Sequence, residues 1–247
     1  MSVVEVERNN GVMVIRMNRP ERLNALGIEM RDLLAQAWCE FRDSRELEVA
    51  IFTGTGRAFC AGEDMKESVA RGAAGSVSAP TLRENPYNEG TLDKPVIVAI
   101  NGYAMGGGLE CALACDLRIA EEQAQMALPE PSVGLLPCGC GTQTLPWLVG
   151  EGWAKRMILT GERIDAATAL RIGLVEEVVG RGQSLAAATT LAQRVATLSP
   201  RAVSFSKRLI HQAREGVPRR AALAIERERF VDLFDGEDQR EGTTAFL

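Results

Sequence analysis

Histidine is nearly missing from this 247-residue chain: the only one, His211, lies in the C-terminal stretch, away from every glycine-rich turn. A Ser-His-Asp hydrolase needs a histidine beside its nucleophile, and multi-histidine metal sites need several, so both classes lose support and no metal site is expected. A basic stripe is missing too. Lys and Arg number 28 against 33 Asp and Glu, a formal net charge of -5, with the two signs mixed throughout, so nothing resembles a nucleic-acid-binding face. The longest apolar run, residues 95–100, falls far short of the roughly 20 residues that cross a bilayer. Residues 1–8 lack the basic-then-apolar pattern of a signal peptide, and the six cysteines form no paired CxxC set. These absences predict free thiols in a reducing compartment, hence a cytoplasmic protein with no membrane or nucleic-acid partner.

What is present is ordinary for a soluble protein. Hydrophobic residues make up 46% and charged residues 25%, and a chain of this length can bury a large core without disulfide or metal staples. Apolar residues at 3–6 and 12–17 flank Asn9-Asn10-Gly11, a hairpin signal because Asn-Gly accepts the positive φ of a tight turn. Leu26, Met30, Leu33, Leu34, Ala37, Trp38 and Phe41 then recur at helical spacing. Residues 49–52 and 96–100 read as short buried strands, 106–115 as a helix and 117–120 as another strand. This alternation predicts an α/β fold. Residues 72–88, rich in Gly, Ala, Ser, Pro and Asn, read as a mobile loop over a binding site. Beyond Ser199-Pro200, a good N-cap followed by a good first helical residue, three helical patterns follow around 203–214, 219–234 and 238–246. The expected division is therefore a core over 1–198 and a helical region over 199–247. Trp38, Trp147 and Trp153 sit among apolar residues and read as core.

Three segments carry candidate chemistry. In KPVIVAINGYAMGGGLECALACD, residues 94–116, a buried strand meets three glycines and then a helix start, where N–H groups lack internal partners and favour an oxyanion. Glu110 falls in the first turn of that helix, where a plain helix-end charge is the commoner role. A second glycine turn, Phe59-Cys60-Ala61-Gly62-Glu63-Asp64, can supply another backbone N–H. The third segment is Leu128-Pro129-Glu130, a loop carboxylate twenty positions after Glu110. Spacing alone does not bring the three together.

FCAGEDMKE, NGYAMGGGLECALACD and LPEPSVGLLPCGCGTQ, in this order and separation, resemble the enoyl-CoA hydratase/isomerase (crotonase) family. MNRPERLNAL, LTGERIDAATALRIGLVEEVV and EGTTAFL extend the resemblance over essentially the whole chain. It implies an α/β core of repeated ββα units and a C-terminal helical trimerisation region, with trimers often paired into hexamers. It also implies that the backbone N–H groups of Glu63 and Gly107 form an oxyanion hole, and that Glu110 and Glu130 are the catalytic pair gripping one water. The implied reaction adds water to a trans-2-enoyl-CoA to give a 3-hydroxyacyl-CoA, with no cofactor beyond the coenzyme A of the substrate. Arg22, Leu23, Ala25, Ala61, Asp64 and Lys66 match the substrate- and CoA-binding segments, although a surface Lys66 paired with Glu63 is an equally open reading.

The sequence departs from the family pattern Pro-Gly-x-Gly-Gly-Thr, reading Pro137-Cys138-Gly139-Cys140-Gly141-Thr142. The N–H of Cys138 would then help hold the water only if that residue needs no glycine-like backbone, and two small packing thiols are the plainer reading. Cys111 and Cys115, one helical turn apart, read as core packing. Glu63 stands where the family often has a small residue. Double-bond isomerase, hydratase of a branched or unusual acyl-CoA, and catalytically silent acyl-CoA-binding scaffold remain open. A dinucleotide loop at 102–108 is disfavoured because the glycines are not spaced GxGxxG.

Overall fold

The chain is described by a computed structural model for residues 2–71, 85, 87, 90–234 and 236–247. The loop expected over 72–88 lies outside the described residues, apart from Asn85 and Tyr87.

The hairpin forms as its turn residues demand. Strands β1 (Val4–Asn9) and β2 (Val12–Met17) pair antiparallel around Asn10 and Gly11, both at positive φ. From β2 onward the main sheet is parallel, through β3 (Val49–Gly54), β5 (Val96–Ile100), β7 (Leu117–Glu121) and β10 (Glu177–Val179). Alternate side chains serve two apolar layers, as a pleated strand requires. Val49, Ile51, Ile97 and Ala99 pack with Ala188 and Ala192 of helix α6 (Ser184–Ala196). Ala50, Phe52, Val98 and Ile100 belong to the larger layer, with Trp38 and Phe41 of helix α1 (Ile28–Asp43). Covered on both faces, residues 49–52 of β3 and all of β5 are uninterrupted apolar runs, which is why they were legible as buried strands.

A second, four-stranded sheet holds β4 (Ala58–Cys60), β6 (Tyr103–Met105), β8 (Gln125–Ala127) and β9 (Ile164–Asp165). Each of the first three follows one strand of the main sheet and precedes a helix or helical turn. The β3–β4 pair leads to α2 (Met65–Arg71), β5–β6 to α3 (Gly107–Leu113), and β7–β8 to a 3-10 turn, Glu130–Val133, and then α4 (Gly141–Thr160). This is the repeated ββα core. Because the three short strands lie side by side and parallel, the turns that follow them converge at the C-terminal ends of these strands.

Helix α5 (Ala166–Ile172) links the sheets, and α7 (Pro200–Gln212), α8 (Arg219–Leu233) and α9 (Glu237–Phe246) form the C-terminal region. The Ser199 hydroxyl accepts from Ala202 N–H and caps α7, as expected. None of these last three helices contains a buried residue. One expectation needs correction. Trp38 is buried and Trp153 half-buried, but Trp147 is 61% exposed, on the outer side of α4.

Candidate active site

The first turn is built around Asn24. Its side chain is fully buried, with the amide donating to the carbonyls of Thr55, Ala58 and Phe59 at 3.0, 2.8 and 3.1 Å, and its oxygen accepting from Arg19 N–H. Leu23 and Asn24 both sit at positive φ, so the chain doubles back here. The loop is then stitched to the turn after β4: Ala61 N–H donates to the Leu23 carbonyl at 2.9 Å, Leu26 N–H to that of Gly62 at 2.8 Å, and Asp64 N–H to that of Leu26 at 3.3 Å. Leu23, Ala25 and Ala61 thus share one strip of backbone, with Arg22 and Lys66 exposed beside it. The Asp64 carboxylate caps α2 through the N–H groups of Lys66 and Glu67 and meets Arg19 at 2.9 Å. Burial pushes this carboxyl up, but those hydrogen bonds and the Arg19 charge prevail and hold it below the usual carboxylate range. The Glu63 side chain is paired with Arg31 of α1, a correction to the pairing with Lys66.

The second turn closes on the first. Gly62, at φ +90°, has no room for a side chain: a Cβ there would lie 2.7 Å from the Met105 carbonyl oxygen. A Cβ on Gly108 would meet the Cys60 carbonyl at 2.1 Å, so α3 rests directly on β4. Between these contacts a Cβ on Gly107 would fall 3.9 Å from Gly62 Cα and 4.0 Å from Glu63 N. The backbones of Glu63 and Gly107, from successive ββα repeats, are neighbours. Gly107 opens α3, so its N–H has no acceptor within the helix.

Glu110, one turn into α3, is 5% exposed. Its Oε1 accepts from Gly139 N–H at 2.7 Å and Gly141 N–H at 2.8 Å. Both donors lie in the 137–142 turn and were not singled out from the sequence. Between them Cys140 adopts φ +105°, a conformation that side chains rarely take, whereas Cys138 is not at positive φ and its thiol is exposed. A cysteine at 138 therefore needs no glycine-like backbone. Glu130 begins the 3-10 turn after β8, and its Oε2 is buried with no hydrogen-bond partner among the described residues. Burial, helped by the nearby Glu110, raises its carboxyl above the usual range. Gly106, at φ +54°, leaves space for it: a Cβ there would sit 3.0 Å from Glu130 Oε1.

The three segments thus meet in space, and comparison with known proteins gives the constellation its setting. A family profile described as enoyl-CoA hydratase/isomerase matches residues 7–247. The chain belongs to this family. It is 37% identical to the short-chain-enoyl-CoA hydratase of Clostridium acetobutylicum, over 99% of this chain and 94% of that one. Among solved structures it resembles DspI of Pseudomonas aeruginosa, with TM-score 0.88 and 48% identity over 100% of this chain and 94% of that one. The enoyl-CoA hydratase of Mycobacterium tuberculosis is similar at TM-score 0.92 and 35% identity, covering 100% and 96% respectively. As a member of the enoyl-CoA hydratase/isomerase family, the chain acts on acyl thioesters of coenzyme A. Chemically, its site brings together two neighbouring backbone turns, one carboxylate fixed by two hydrogen bonds, and one carboxyl that burial raises above the usual range.

Proposed function

We propose that the chain hydrates a trans-2-enoyl-CoA to a 3-hydroxyacyl-CoA. The observation that carries this reading is the unlike treatment of two neighbouring glutamates, Glu110 locked by two N–H groups and Glu130 with a buried oxygen unpartnered among the described residues. Glu110 would orient a water and take its proton as the oxygen bonds to C3. The C2–C3 π electrons move toward the thioester, whose oxygen becomes an enolate held by the N–H groups of Glu63 and Gly107. The enolate collapses as C2 takes a proton from Glu130. Removing one oxyanion-hole donor costs about 3–4 kcal/mol in other enzymes, and acid–base help of this kind is worth about 10²–10⁴-fold. The N–H of Cys138 would add a further water contact, and the strip at Arg22, Leu23, Ala25, Ala61, Asp64 and Lys66 would carry the CoA portion.

The helices of 199–247 support a proposed homo-trimer, single or paired, as partner state. With Phe230 64%, Val231 69% and Phe234 55% exposed, α8 displays apolar surface that a second copy would cover. Sedimentation at a trimer or hexamer mass supports this, and a monomer removes it.

The test is loss of the conjugated enoyl-thioester absorbance when crotonyl-CoA is mixed with the protein. Rapid loss with formation of 3-hydroxybutyryl-CoA supports the reading. If crotonyl-CoA is inert but a 3-enoyl-CoA is converted to its conjugated isomer, the chain is an isomerase.

A further inference from the structure

Glu63 is an awkward residue for the place it occupies. Its N–H is one of the two donors proposed to hold an enolate oxygen, yet its own side chain carries a carboxylate tethered to that same backbone position. A negative charge no further away than one glutamate side chain opposes a developing oxyanion. In a partly buried setting that opposition is worth about one to two powers of ten in rate. The structure supplies a counter-charge. Arg31, on the second turn of α1, donates from Nη2 to Glu63 Oε2, and both side chains are only partly exposed, at 34% and 25%.

The position of this pair is fixed from both sides. Helix α1 is anchored at its start by the Glu67 carboxylate, which accepts from Ile28 N–H at 3.0 Å, and Arg31 N–H bonds the Gly27 carbonyl at 3.0 Å. On the other side, the Leu26–Glu63 bridge fixes the backbone that carries the carboxylate. The pair also borders the glutamate site, for the exposed thiol of Cys138 lies within electrostatic reach of Glu110, Arg31, Glu130 and Glu63 alike.

The geometry points to Arg31 as a positioning residue of the oxyanion hole: it neutralises and holds aside the Glu63 carboxylate, so that the Glu63 N–H faces the thioester oxygen without a competing negative charge. This inference rests on the enoyl-CoA reading above. It differs from a general stabilising role because the effect of losing Arg31 must vanish when Glu63 has no carboxylate.

The experiment is a double-mutant cycle with two probes. Hydration of crotonyl-CoA reads the reaction. Bound acetoacetyl-CoA, whose enolate absorbs in the near ultraviolet, reads the oxyanion hole without turnover. Arg31→Met is expected to lower kcat/KM about ten- to a hundredfold, mainly through kcat, and to weaken the enolate band at fixed pH. Arg31→Lys should recover most of both signals. In the Glu63→Ala background, Arg31→Met should change kcat/KM by less than about twofold. An equal loss from Arg31→Met in both backgrounds, or an undiminished enolate band, would overturn the role assigned to Arg31. Wild-type protein that binds neither thioester would instead overturn the enoyl-CoA reading, and the inference with it.

Discussion

Glu110 sends one carboxylate oxygen into the N–H groups of Gly139 and Gly141, at 2.7 and 2.8 Å, whereas Glu130 keeps Oε2 buried without a partner among the described residues. The two groups are chemically identical and lie close enough for Glu110 to help raise the Glu130 carboxyl, after the larger effect of burial. Their surroundings make them different reagents. Two N–H donors fix the orientation of the Glu110 carboxylate, which in the proposed reaction accepts a proton from water. Burial of Glu130 outweighs the hydrogen bond from its own backbone N–H and raises its carboxyl, the direction that suits a proton donor in the proposed reaction. In the proposed reaction, division of labour between the two glutamates follows from where the 137–142 turn places its N–H groups.

The strongest way to break this contrast is to remove each carboxylate's charge while keeping its shape. Glu110→Gln and Glu130→Gln are each expected to lower kcat for crotonyl-CoA hydration by about 10²–10⁴-fold, with CoA-thioester affinity largely kept. Steady-state kinetics and calorimetric titration together separate that outcome from simple loss of binding. A smaller loss, about 10²-fold in kcat/KM, is expected for Gly62→Ala, whose new Cβ would press on the Met105 carbonyl and displace the Glu63 N–H from Gly107.

The contrast was only partly legible in the sequence. Long apolar strands such as β3 and β5, and the helical spacing of α1, announce themselves because one local period suffices. Strands β4, β6 and β8 have three residues each, and their partners lie in other repeats, so no local pattern exists to find. Trp147 misleads because it stands among Leu145, Leu148 and Val149, while the non-helical backbone of Gly150 breaks the period that would show which face is outward. Glu110, Glu130, Glu63 and Gly107 could be located through family resemblance. Asn24, Arg31, Gly139 and Gly141 could not be read from spacing, because each acts through a contact made only when distant segments meet.

Two stability measurements sharpen the comparison further. Cys140 is held at φ +105° between the two donors to Glu110. Cys140→Gly is expected to raise unfolding free energy by about 1 kcal/mol, the relief of backbone strain exceeding the flexibility glycine adds to the unfolded chain. Denaturant titration checks this. For Glu130 the prediction concerns pH. Its carboxyl is raised in the folded protein, so between the ordinary carboxylate range and the raised value the unfolded chain gives up that proton more readily. Its contribution to stability is therefore greatest at low pH, declines as pH rises through that window, and is level above it. Glu130→Gln should lack the decline, so that the stability of the variant relative to wild type grows across the window and then stays constant.

The central claim is that both glutamates act on one water that ends in the product. It is tested most directly by running the crotonyl-CoA reaction in water labelled with oxygen-18 and weighing the product. The account predicts a 3-hydroxybutyryl-CoA carrying one labelled oxygen at C3. A product of unchanged mass, formed by moving the double bond alone, would contradict it.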